Sequence, residues 1–416
     1  MQWKTGISQA SQKENNLAVV IRAIHSDPQS SRVKLSEVTG LKQATISKIV
    51  NQLIDWGMVQ ETENLESSVG RKPIRLSINS ENYLLAAVRI NREYLRVAIF
   101  DICQKIYFSD EMPIRASDGA SSSMKLLLQM TRRAIESVPT NVIGIGVALP
   151  GPFNSVQNRI TLMSGFPGWD KIDIQQELEN EFHIPVFMDH DAKCGALAEL
   201  CCGEYRMKNH LLCICCDRGV GAGFILGNQI YHGSSGYAGE IGHMSINLFG
   251  PTCECGNHGC LELYCSTNAL EQEYRKEAFE MMRSCEPDLS HVTAQDILRM
   301  ARDKDPLAEK VYTRMVGYLA FGTVGVINTL NPEVVIFADK IIEGGELFIQ
   351  TMRAVLKNYL LPEVYESLIV DVSTIDAEPM LLGASVLVFD ALLSQPSLYF
   401  GGEHESSMSS DDESDS

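Results

Sequence analysis

The sequence predicts an α/β protein that carries an N-terminal winged helix-turn-helix domain. Apolar runs of strand length lie next to one another from residue 84 and alternate with helix-length segments farther along the chain. Ahead of them, residues 17–56 repeat apolar side chains at helical spacing on both sides of a glycine-containing turn. A length of 416 residues exceeds what one hydrophobic core holds and indicates about three domains.

The N-terminal pattern predicts three helices and a hairpin. The first helix carries its apolar face at Leu17, Val20, Ile21 and Ile24. A second from Lys34 to Val38 and a third from Gln43 to Trp56 flank the turn Thr39-Gly40-Leu41, which is the helix-turn-helix arrangement. Extended segments around Gly70-Arg71-Lys72-Pro73 predict a β-hairpin wing with a basic tip.

The polar residues at the start of the third helix are the expected DNA contacts. In a helix-turn-helix the second helix of the pair enters the major groove with its N-terminal residues on the base edges. Gln bonds adenine there, Lys bonds guanine or phosphate, and a basic wing adds cations for the backbone or the minor groove. The expected contacts are Lys42, Gln43, Thr45, Ser47, Lys48, Arg71 and Lys72. The alternative is a helical protein-interaction module with a solvated basic loop.

The body of the chain predicts mixed sheets in two lobes. Strands are expected at Leu84–Ile90, Leu95–Phe100, Val142–Val147, Val186–Met188, Leu211–Cys215, Gly223–Leu226, Val334–Phe337 and Leu368–Val372. Helices are expected at Ser123–Ser137, Gln175–Phe182, Ala192–Cys202, Ala294–Arg302 and Pro306–Asn328. Two α/β lobes leave a cleft between them, which is the usual place for a small ligand.

Charge is distributed unevenly along the chain. Residues 1–80 hold ten Lys and Arg against seven Asp and Glu, so they carry a net charge of +3. Since the whole chain carries −18, the remaining residues carry −21. A basic end on an acidic body is consistent with a nucleic-acid-binding module. The Ser-rich acidic residues at the C-terminus are expected to form a disordered tail. Neither a signal peptide nor a membrane span is recognisable, so we expect a cytoplasmic protein with reduced thiols and no membrane insertion.

The imidazole of His243 and three thiols lie within eighteen residues, the thiols at Cys253, Cys255 and Cys260. Zn²⁺ takes four such ligands in a tetrahedron, and a structural site is filled entirely by Cys and His. Gly256 and Gly259 stand where the chain must double back between the thiols, and glycine tolerates the positive φ of such a turn. The sequence therefore predicts structural zinc. The alternative is that these cysteines are small buried hydrophobes.

These motifs resemble the ROK family of repressors, open reading frames and sugar kinases. The most specific is Glu240-Ile-Gly-His243 followed by Cys253-Glu-Cys255-Gly-Asn-His-Gly-Cys260-Leu-Glu262. Supporting matches are Val147-Ala-Leu-Pro-Gly-Pro152, Asp189-His-Asp191-Ala192, Gly219-Val-Gly-Ala-Gly223 and Leu330-Asn-Pro-Glu333. The resemblance implies a two-lobed, actin-like (ribonuclease-H-like) sugar-kinase fold. The added winged helix-turn-helix resembles the repressor branch of the family, which includes xylose and N-acetylglucosamine repressors.

The resemblance also implies a sugar-binding set, namely Gly151, His190, Asp191, Glu240, His243 and Glu262. Carboxylates suit this task because each accepts hydrogen bonds from two neighbouring hydroxyls. His190 departs from the family, because an Asn usually stands there, and Lys193 stands where a second Asn is common. Lys193 is expected to be solvated, with a sugar phosphate as its alternative partner.

The family's nucleotide contacts are altered, which argues against catalysis. The first phosphate loop, Asp-x-Gly-Gly-Thr in the family, is replaced by Arg89-Ile-Asn-Arg-Glu-Tyr94. A later Gly-Gly is replaced by Ala338-Asp339-Lys340. Asp191, the family's catalytic base, is then a sugar ligand only, although the turn at Gly219 still offers amides to a phosphate.

We therefore predict a sugar-responsive repressor that binds operator DNA as a homodimer or homotetramer. The expected division is a DNA-binding domain at 1–80, a first lobe at 81–192 completed by 379–393, a second lobe at 193–378 and an acidic tail at 394–416. The segment 231–264 favours xylose as the effector. The alternatives are an ATP-dependent sugar kinase and a repressor controlled by a protein partner.

Overall fold

The N-terminal domain is a winged helix-turn-helix. The computed structural model describes residues 9–27, 29–62, 74–281, 289, 291–376 and 378–400. The first elements are helices α1 (Gln9–Ser26), α2 (Arg32–Thr39) and α3 (Gln43–Asp55), and antiparallel strands β1 (Val59–Thr62) and β2 (Arg75–Ile78). The Ser31 hydroxyl accepts a hydrogen bond from the Lys34 amide at the start of α2, and Gly40 ends that helix with φ 70°. The three predicted helices and the hairpin strands are confirmed, whereas the predicted basic tip with Gly70 to Pro73 lies outside the described residues.

A first five-stranded sheet follows, in the order β5-β4-β3-β6-β9, with β3, β6 and β9 parallel. Its elements are β3 (Leu84–Ile90), β4 (Tyr94–Asp101), β5 (Ile106–Pro113), α4 (Ala120–Glu136), β6 (Val142–Leu149), the pair β7 (Phe153–Asn154) and β8 (Arg159–Ile160), α5 (Ile174–Phe182), β9 (Val186–His190) and α6 (Asp191–Cys202). Sequence analysis missed β5. Most of its side chains are exposed or half-buried at the sheet edge, so an apolar run does not mark it.

A second five-stranded sheet has the order β12-β11-β10-β13-β14. From residue 210 onward the elements are β10 (His210–Cys216), β11 (Val220–Leu226), β12 (Gln229–Ile230), α7 (Glu262–Cys265), α8 (Thr267–Met281), α9 (Ala294–Arg302), α10 (Pro306–Leu330), β13 (Val334–Ala338), α11 (Glu346–Tyr359), α12 (Pro362–Ser367), β14 (Ile369–Val372), α13 (Pro379–Leu392) and α14 (Pro396–Phe400). Strand β10 runs antiparallel to β11 and parallel to β13. The predicted mixed sheets are confirmed.

Helices α6 and α13 join the two sheets. One buried cluster contains apolar residues of both helices and of both sheets, including Ala148 and Ile336. The helices touch backbone to backbone, because a Cβ added to Gly383 of α13 would lie 1.7 Å from the Cys194 carbonyl oxygen of α6. On its other side α13 presses on β6, where a Cβ on Gly146 would lie 2.0 Å from the Ala384 carbonyl oxygen. Glycine permits this spacing, because any side chain would collide with backbone.

Helix α10 is the longest described helix, with 25 residues. The Asp305 carboxylate caps its start, and Asn331 ends it in the left-handed region at φ 44°. Its buried face includes Val316, Leu319 and Ile327. None of the described helices combines the length and the apolar character needed to cross a bilayer.

The expected start of the disordered tail at residue 394 is wrong. Residues Pro396–Phe400 form α14, and Phe400 is buried against Tyr83 with ring centroids 5.2 Å apart. The Ser397 amide also donates to the Glu14 carboxylate of α1 at 3.0 Å. These apolar and capping contacts hold the segment on the N-terminal domain. The acidic stretch itself, residues 401–416, lies outside the described residues.

We expect Gly383→Ala to lower the free energy of unfolding by about 1–3 kcal/mol, because the added methyl group collides with the α6 backbone. Gly317→Ala in α10 is the matched control, since its Cβ would meet nothing within 4 Å. That control should stabilise the protein by about 0.5–1 kcal/mol through helix propensity. Thermal unfolding of both variants checks the difference. Equal shifts for the two substitutions would contradict the close packing.

Candidate functional site

A polar cleft opens between the two sheets. The first sheet contributes the carboxyl end of β6, with Pro150 and Gly151, and the junction of β9 with α6. The second sheet contributes the β10–β11 turn and the loops that carry Glu240, His243 and Glu262. All six predicted sugar-binding residues therefore line one cleft.

His190 is held firmly in this cleft. Its ring is 5% exposed and lies between two glycines, since a Cβ on Gly151 would be 2.4 Å from Nε2 and one on Gly221 would be 2.5 Å from Cε1. The Nδ1 atom accepts the Ala192 amide at 3.2 Å at the start of α6. Because Nδ1 is an acceptor, the proton of the neutral ring resides on Nε2, which lies 3.9 Å from the nearer Glu240 oxygen. His190 thus offers a donor to the cleft, as the amide of an Asn does.

Three carboxylates converge around the same space. The side chains of Asp191, Glu240 and Glu262 are 17%, 18% and 11% exposed, so each remains reachable from the cleft. Asp191 is the first residue of α6, and its Oδ1 accepts the Ala192 amide at 2.6 Å. Negative charge is favourable at a helix N-terminus, so the start of α6 stabilises this carboxylate. The group can accept several hydrogen bonds from one polyhydroxylated ligand.

Beside the cleft, His243 and the three predicted thiols form one cluster. The possible ligand atoms of His243, Cys253, Cys255 and Cys260 all lie within 4.8 Å of one another. The Cys255 and Cys260 sulfurs are 3.7 Å apart, and the Cys253 sulfur is 3.8 Å from His243 Nδ1. Two sulfur ligands of tetrahedral Zn²⁺ are about 3.8 Å apart for Zn–S bonds of about 2.3 Å. The donor set and its spacing therefore fit zinc.

The turn between these thiols has the predicted backbone conformation. Gly256 and Gly259 have φ values of 90° and 64°. A Cβ on Gly259 would lie 1.8 Å from the Asn247 carbonyl oxygen, so no other residue fits there. On the cleft side, Glu262 Oε1 lies 3.4 Å from His243 Nδ1 and accepts the Cys253 thiol at 3.2 Å. A metal at His243 Nδ1 leaves Nε2 available for a ligand hydroxyl.

Lys193 was expected to be solvated or to pair with a sugar phosphate. Its position in the structure agrees with neither. Its side chain is 1% exposed, and Nζ donates to the Gly236 carbonyl oxygen at 2.6 Å and lies 3.6 Å from Asp189. His232 donates to the other Asp189 oxygen at 2.7 Å. Burial by itself raises the pKa of Asp189, but the His232 hydrogen bond and the Lys193 charge outweigh it and lower that pKa. Lys193 faces inward because α6 is covered on this side by the loop that leads to Glu240.

Arg89 and Asp339 were identified in the sequence only as departures from the family's nucleotide loops. The structure brings their side chains together. The Arg89 guanidinium is 1% exposed, and its Nη2 atom lies 2.9 Å from Asp339 and 3.8 Å from Asp191. Its Nη1 atom contacts Glu378. Burial raises the pKa of Asp339 to about 7, although the Arg89 charge opposes that shift. Residues 250 positions apart meet here, so no sequence spacing reveals the pair.

Asp217 also lines the cleft and was missed. Asp217 directly follows β10 and is 8% exposed. Its carboxylate accepts a hydrogen bond from the Thr267 hydroxyl at 3.1 Å. The Gly219 turn that follows is covered by Arg92, because a Cβ on Gly219 would lie 2.8 Å from Arg92 Nη1. Arg218 of the same turn donates a hydrogen bond to the Glu93 carboxylate at 2.7 Å, and this contact joins the two sheets next to the Gly219 turn. An acidic residue directly before a glycine-rich turn was the available sequence signal for Asp217.

The start of α3 presents the predicted DNA-contacting side chains together. Lys42, Gln43 and Lys48 are exposed, and Thr45 and Ser47 are half-buried on the same turn. The apolar residues Ile46, Ile49 and Val50 face inward and are buried. This arrangement leaves the polar face of α3 free for a groove, and its role stays a prediction. The predicted contacts Arg71 and Lys72 lie outside the described residues.

The fold and the cleft define a class: an actin-like, two-lobed protein of the sugar-kinase type with an N-terminal winged helix-turn-helix. Residues 85–391 match the ROK family, and the chain belongs to that family. It is 29% identical to the xylose repressor of Bacillus subtilis over 384 residues, which cover 92% of this chain and 96% of that protein. It is 28% identical over 387 residues to the DNA-binding transcriptional dual regulator NagC of Escherichia coli, which cover 92% and 94%.

A solved structure extends the likeness to the whole arrangement. The crystal structure of a ROK family transcriptional regulator, a homologue of the E. coli MLC protein, superposes with a TM-score of 0.79 at 26% identity. The match covers 94% of this chain and 99% of that one, so it includes the N-terminal domain as well as the lobes. The chain is thus built like the family's transcriptional regulators.

We expect Cys255→Ser to remove zinc from the purified protein, because three ligands no longer close the tetrahedron. The loss of zinc affinity should exceed the roughly 10- to 100-fold cost of losing a supporting hydrogen bond. Elemental analysis after dialysis measures the zinc content per chain. Cys103→Ser, another exposed thiol, is the control and should leave zinc unchanged. Full zinc content in Cys255→Ser would contradict the predicted ligand set.

Lys193→Met should lower the free energy of unfolding by about 3–5 kcal/mol, because it leaves a buried carboxylate with one cation fewer. Lys208→Met is the matched control, since Lys208 pairs with Glu333 at a similar 3.5 Å but both side chains are more than one third exposed. Exposed pairs contribute about 0–1 kcal/mol. Thermal unfolding compares the two, and similar losses would show that burial of Lys193 is unimportant.

Proposed function

We propose that this protein is a sugar-responsive transcriptional repressor that binds operator DNA as a homodimer or homotetramer and releases it when a sugar enters the cleft. The observation that carries the proposal is the convergence of Asp191, Glu240 and Glu262 in one cavity. These carboxylates lie in a chain that also presents a winged helix-turn-helix. Similarity to xylose and N-acetylglucosamine regulators over nearly the full length supports the assignment.

The cleft suits a polyol that is both donor and acceptor. Asp191, Glu240 and Glu262 accept hydroxyl hydrogen bonds, while His190 Nε2 donates one. Zinc on His243 Nδ1 fixes that ring and its tautomer, so that Nε2 is presented in a defined direction. Acidic residues outnumber unpaired cations around the cavity, which favours a neutral sugar over a sugar phosphate. We propose xylose or a related pentose or hexose as the effector.

A sugar kinase of the same family is the enzymatic alternative, and two contacts disfavour it. Phosphoryl transfer needs bare backbone and a magnesium partner near the nucleotide phosphates. Here Arg89 and Asp339, which stand at the positions of the family's phosphate loops, pair with each other at 2.9 Å. Arg92 lies across the Gly219 turn that otherwise offers its amides. We therefore propose that the protein is not an enzyme and that Asp191 serves as a sugar ligand.

Release follows from two-state linkage. A sugar that contacts both sheets binds one closure of the cleft more tightly, so it shifts the population toward that closure. Closure alters the placement of two helix-turn-helix modules relative to half-sites about one helical turn apart. A coupling free energy of about 2 kcal/mol weakens operator binding roughly thirtyfold.

The first experiment is fluorescence anisotropy of the zinc-loaded protein on its own upstream DNA, titrated with xylose, glucose, N-acetylglucosamine and their phosphates. We expect one neutral sugar to weaken binding by roughly thirtyfold. Tight binding at saturating concentrations of every sugar would instead favour a repressor controlled by a protein partner. Absence of DNA binding, together with sugar-dependent ADP production, would establish the kinase.

Glu240→Gln should raise the Kd of the effector sugar by about 10- to 100-fold, because hydrogen bonds to a charged group contribute about 1.5–3 kcal/mol. Isothermal titration calorimetry without DNA measures this directly. Glu136→Gln, an exposed position at the end of α4, is the control and should bind sugar as the unmodified protein does. Unchanged affinity in Glu240→Gln would place the sugar elsewhere.

A further inference from the structure

A buried ion-pair network closes the inner end of the cleft. Arg89 of β3 pairs with Asp339, which follows β13, and so joins the two sheets. The same guanidinium lies 3.8 Å from Asp191, the proposed sugar ligand. Among the described residues, Arg89 is the only arginine or lysine in an ion pair with Asp191, and His190 Nδ1 lies 3.5 Å from the other oxygen of that carboxylate. A hydroxyl bound to Asp191 therefore changes the electrostatic surroundings of Arg89 directly.

The backbone at Asp339 shows that this network is held under strain. Asp339 has φ 74° and ψ −167°, a region that is essentially reserved for glycine. Such a conformation costs about 1–3 kcal/mol in a residue with a side chain. The Arg89 contact at 2.9 Å keeps the carboxylate in this position. Strain of this kind clusters at sites whose geometry serves a function.

Glu378 attaches the network to helix α13. It is the residue before the helix, and its carboxylate contacts Arg89 and accepts Tyr94 Oη at 2.6 Å. Arg96 adds a third contact at 3.3 Å. The start of α13 is thereby tied to strands β3 and β4 at the cleft. A change in the position of Arg89 therefore first displaces the N-terminus of this helix.

The other end of α13 lies against the DNA-binding domain. The ring of Phe389 packs on His25 of α1 with centroids 5.2 Å apart, and Asp390 pairs with Arg22 at 2.5 Å. Leu392 and Leu393 are buried in one cluster with Leu17, Ile21 and Leu53 of the N-terminal domain. The core of the winged helix-turn-helix is thus continuous with the C-terminal end of α13.

Between these ends the helix is rigidly held. Its 14 residues span about 20 Å at a rise of about 1.5 Å per residue. The backbone contacts at Gly383 and Gly146 press it against α6 and β6. Helix α6 itself begins at Asp191, so both helices start at the cleft and move together. Close-packed elements of this kind shift as units and do not deform gradually.

We propose that helix α13 transmits sugar binding in the cleft to the winged helix-turn-helix domain, with Arg89 and Glu378 as the positioning residues at its cleft end. This inference rests on the proposed function, because it supplies the path by which the sugar alters operator binding. A sugar hydroxyl on Asp191 weakens the hold of that carboxylate on Arg89, and Arg89 then redistributes its contacts between Asp339 and Glu378. The start of α13 shifts with Glu378, and α1 shifts with Phe389.

The test measures the coupling factor, defined as the operator Kd at saturating D-xylose divided by the operator Kd without sugar. If another sugar of the panel releases the DNA, that sugar is the probe. Glu378→Gln keeps the size of the side chain and its contact with Tyr94 but removes the charge that Arg89 requires. We expect it to lower the coupling factor by about fivefold or more. Phe389→Leu, at the opposite end of the helix, should lower it as well.

Glu111→Gln is the matched control. Glu111 also pairs with Arg96, at 3.7 Å, but it lies on edge strand β5 with its side chain 51% exposed. Its coupling factor should stay within about twofold of the unmodified protein, as expected for an exposed pair. A coupling factor equally unchanged in Glu378→Gln and Phe389→Leu, in proteins that unfold at the same temperature as the control, would overturn the proposal.

Hydrogen exchange of α1, read in the same samples without sugar, separates this proposal from the proposed function. Glu378→Gln should speed exchange in α1, whereas Glu111→Gln should not, because only the first loosens α13. A wild-type coupling factor of one contradicts the proposed response to sugar, whatever the exchange shows. Unchanged exchange in α1 of Glu378→Gln overturns the role of α13, whatever the sugar does.

Discussion

The backbone contact between helices α6 and α13 is the interaction on which the rest of the structure depends. It lies in the buried cluster shared by both sheets, and it is close enough that only glycine fits at Gly383. Because α6 starts at Asp191 and α13 starts directly after Glu378, this contact also sets the distance between the cleft and its ion-pair network. The same packing that gives the body its core thus positions the groups that bind a ligand.

Charge is managed differently on the two sides of the cleft. At the inner end, buried acids are matched to a buried guanidinium, since an unpaired charge there is costly. Toward the opening, Asp191, Glu240 and Glu262 remain partly exposed, and the Arg89 guanidinium comes no closer than 3.8 Å to Asp191, so oxygens of all three can be reached by hydroxyl groups. The cluster of His243 and the three cysteines adjoins this outer side, because Glu262 Oε1 lies 3.4 Å from His243 Nδ1. A neutral, hydroxyl-rich ligand complements this distribution.

Features defined by neighbouring residues were predicted from the sequence, whereas features that depend on distant residues were missed. The helix-turn-helix, most strands and the cluster of His243 with three cysteines were predicted, because periodicity and short spacing define them within a few turns of chain. Strand β5 was missed because its side chains lie at an exposed edge. Helix α14 was assigned to the tail because its anchor, Tyr83, is far away in sequence. Lys193 was expected in solvent, because its hydrogen-bond acceptor, the Gly236 carbonyl oxygen, lies 43 residues away in the sequence.

The amino-acid sequence by itself determined the family and most of the helices and strands, and it indicated candidate residues for a metal and for a sugar, because those depend on residue type and on neighbours along the chain. Only the tertiary structure decided which charges meet. Arg89 meets Asp339 and Glu378, which lie 250 and 289 residues farther along the chain, and a buried guanidinium gains its partners only when both sheets close on it. The connection from the cleft to the DNA-binding domain likewise exists only once α13 is packed between them.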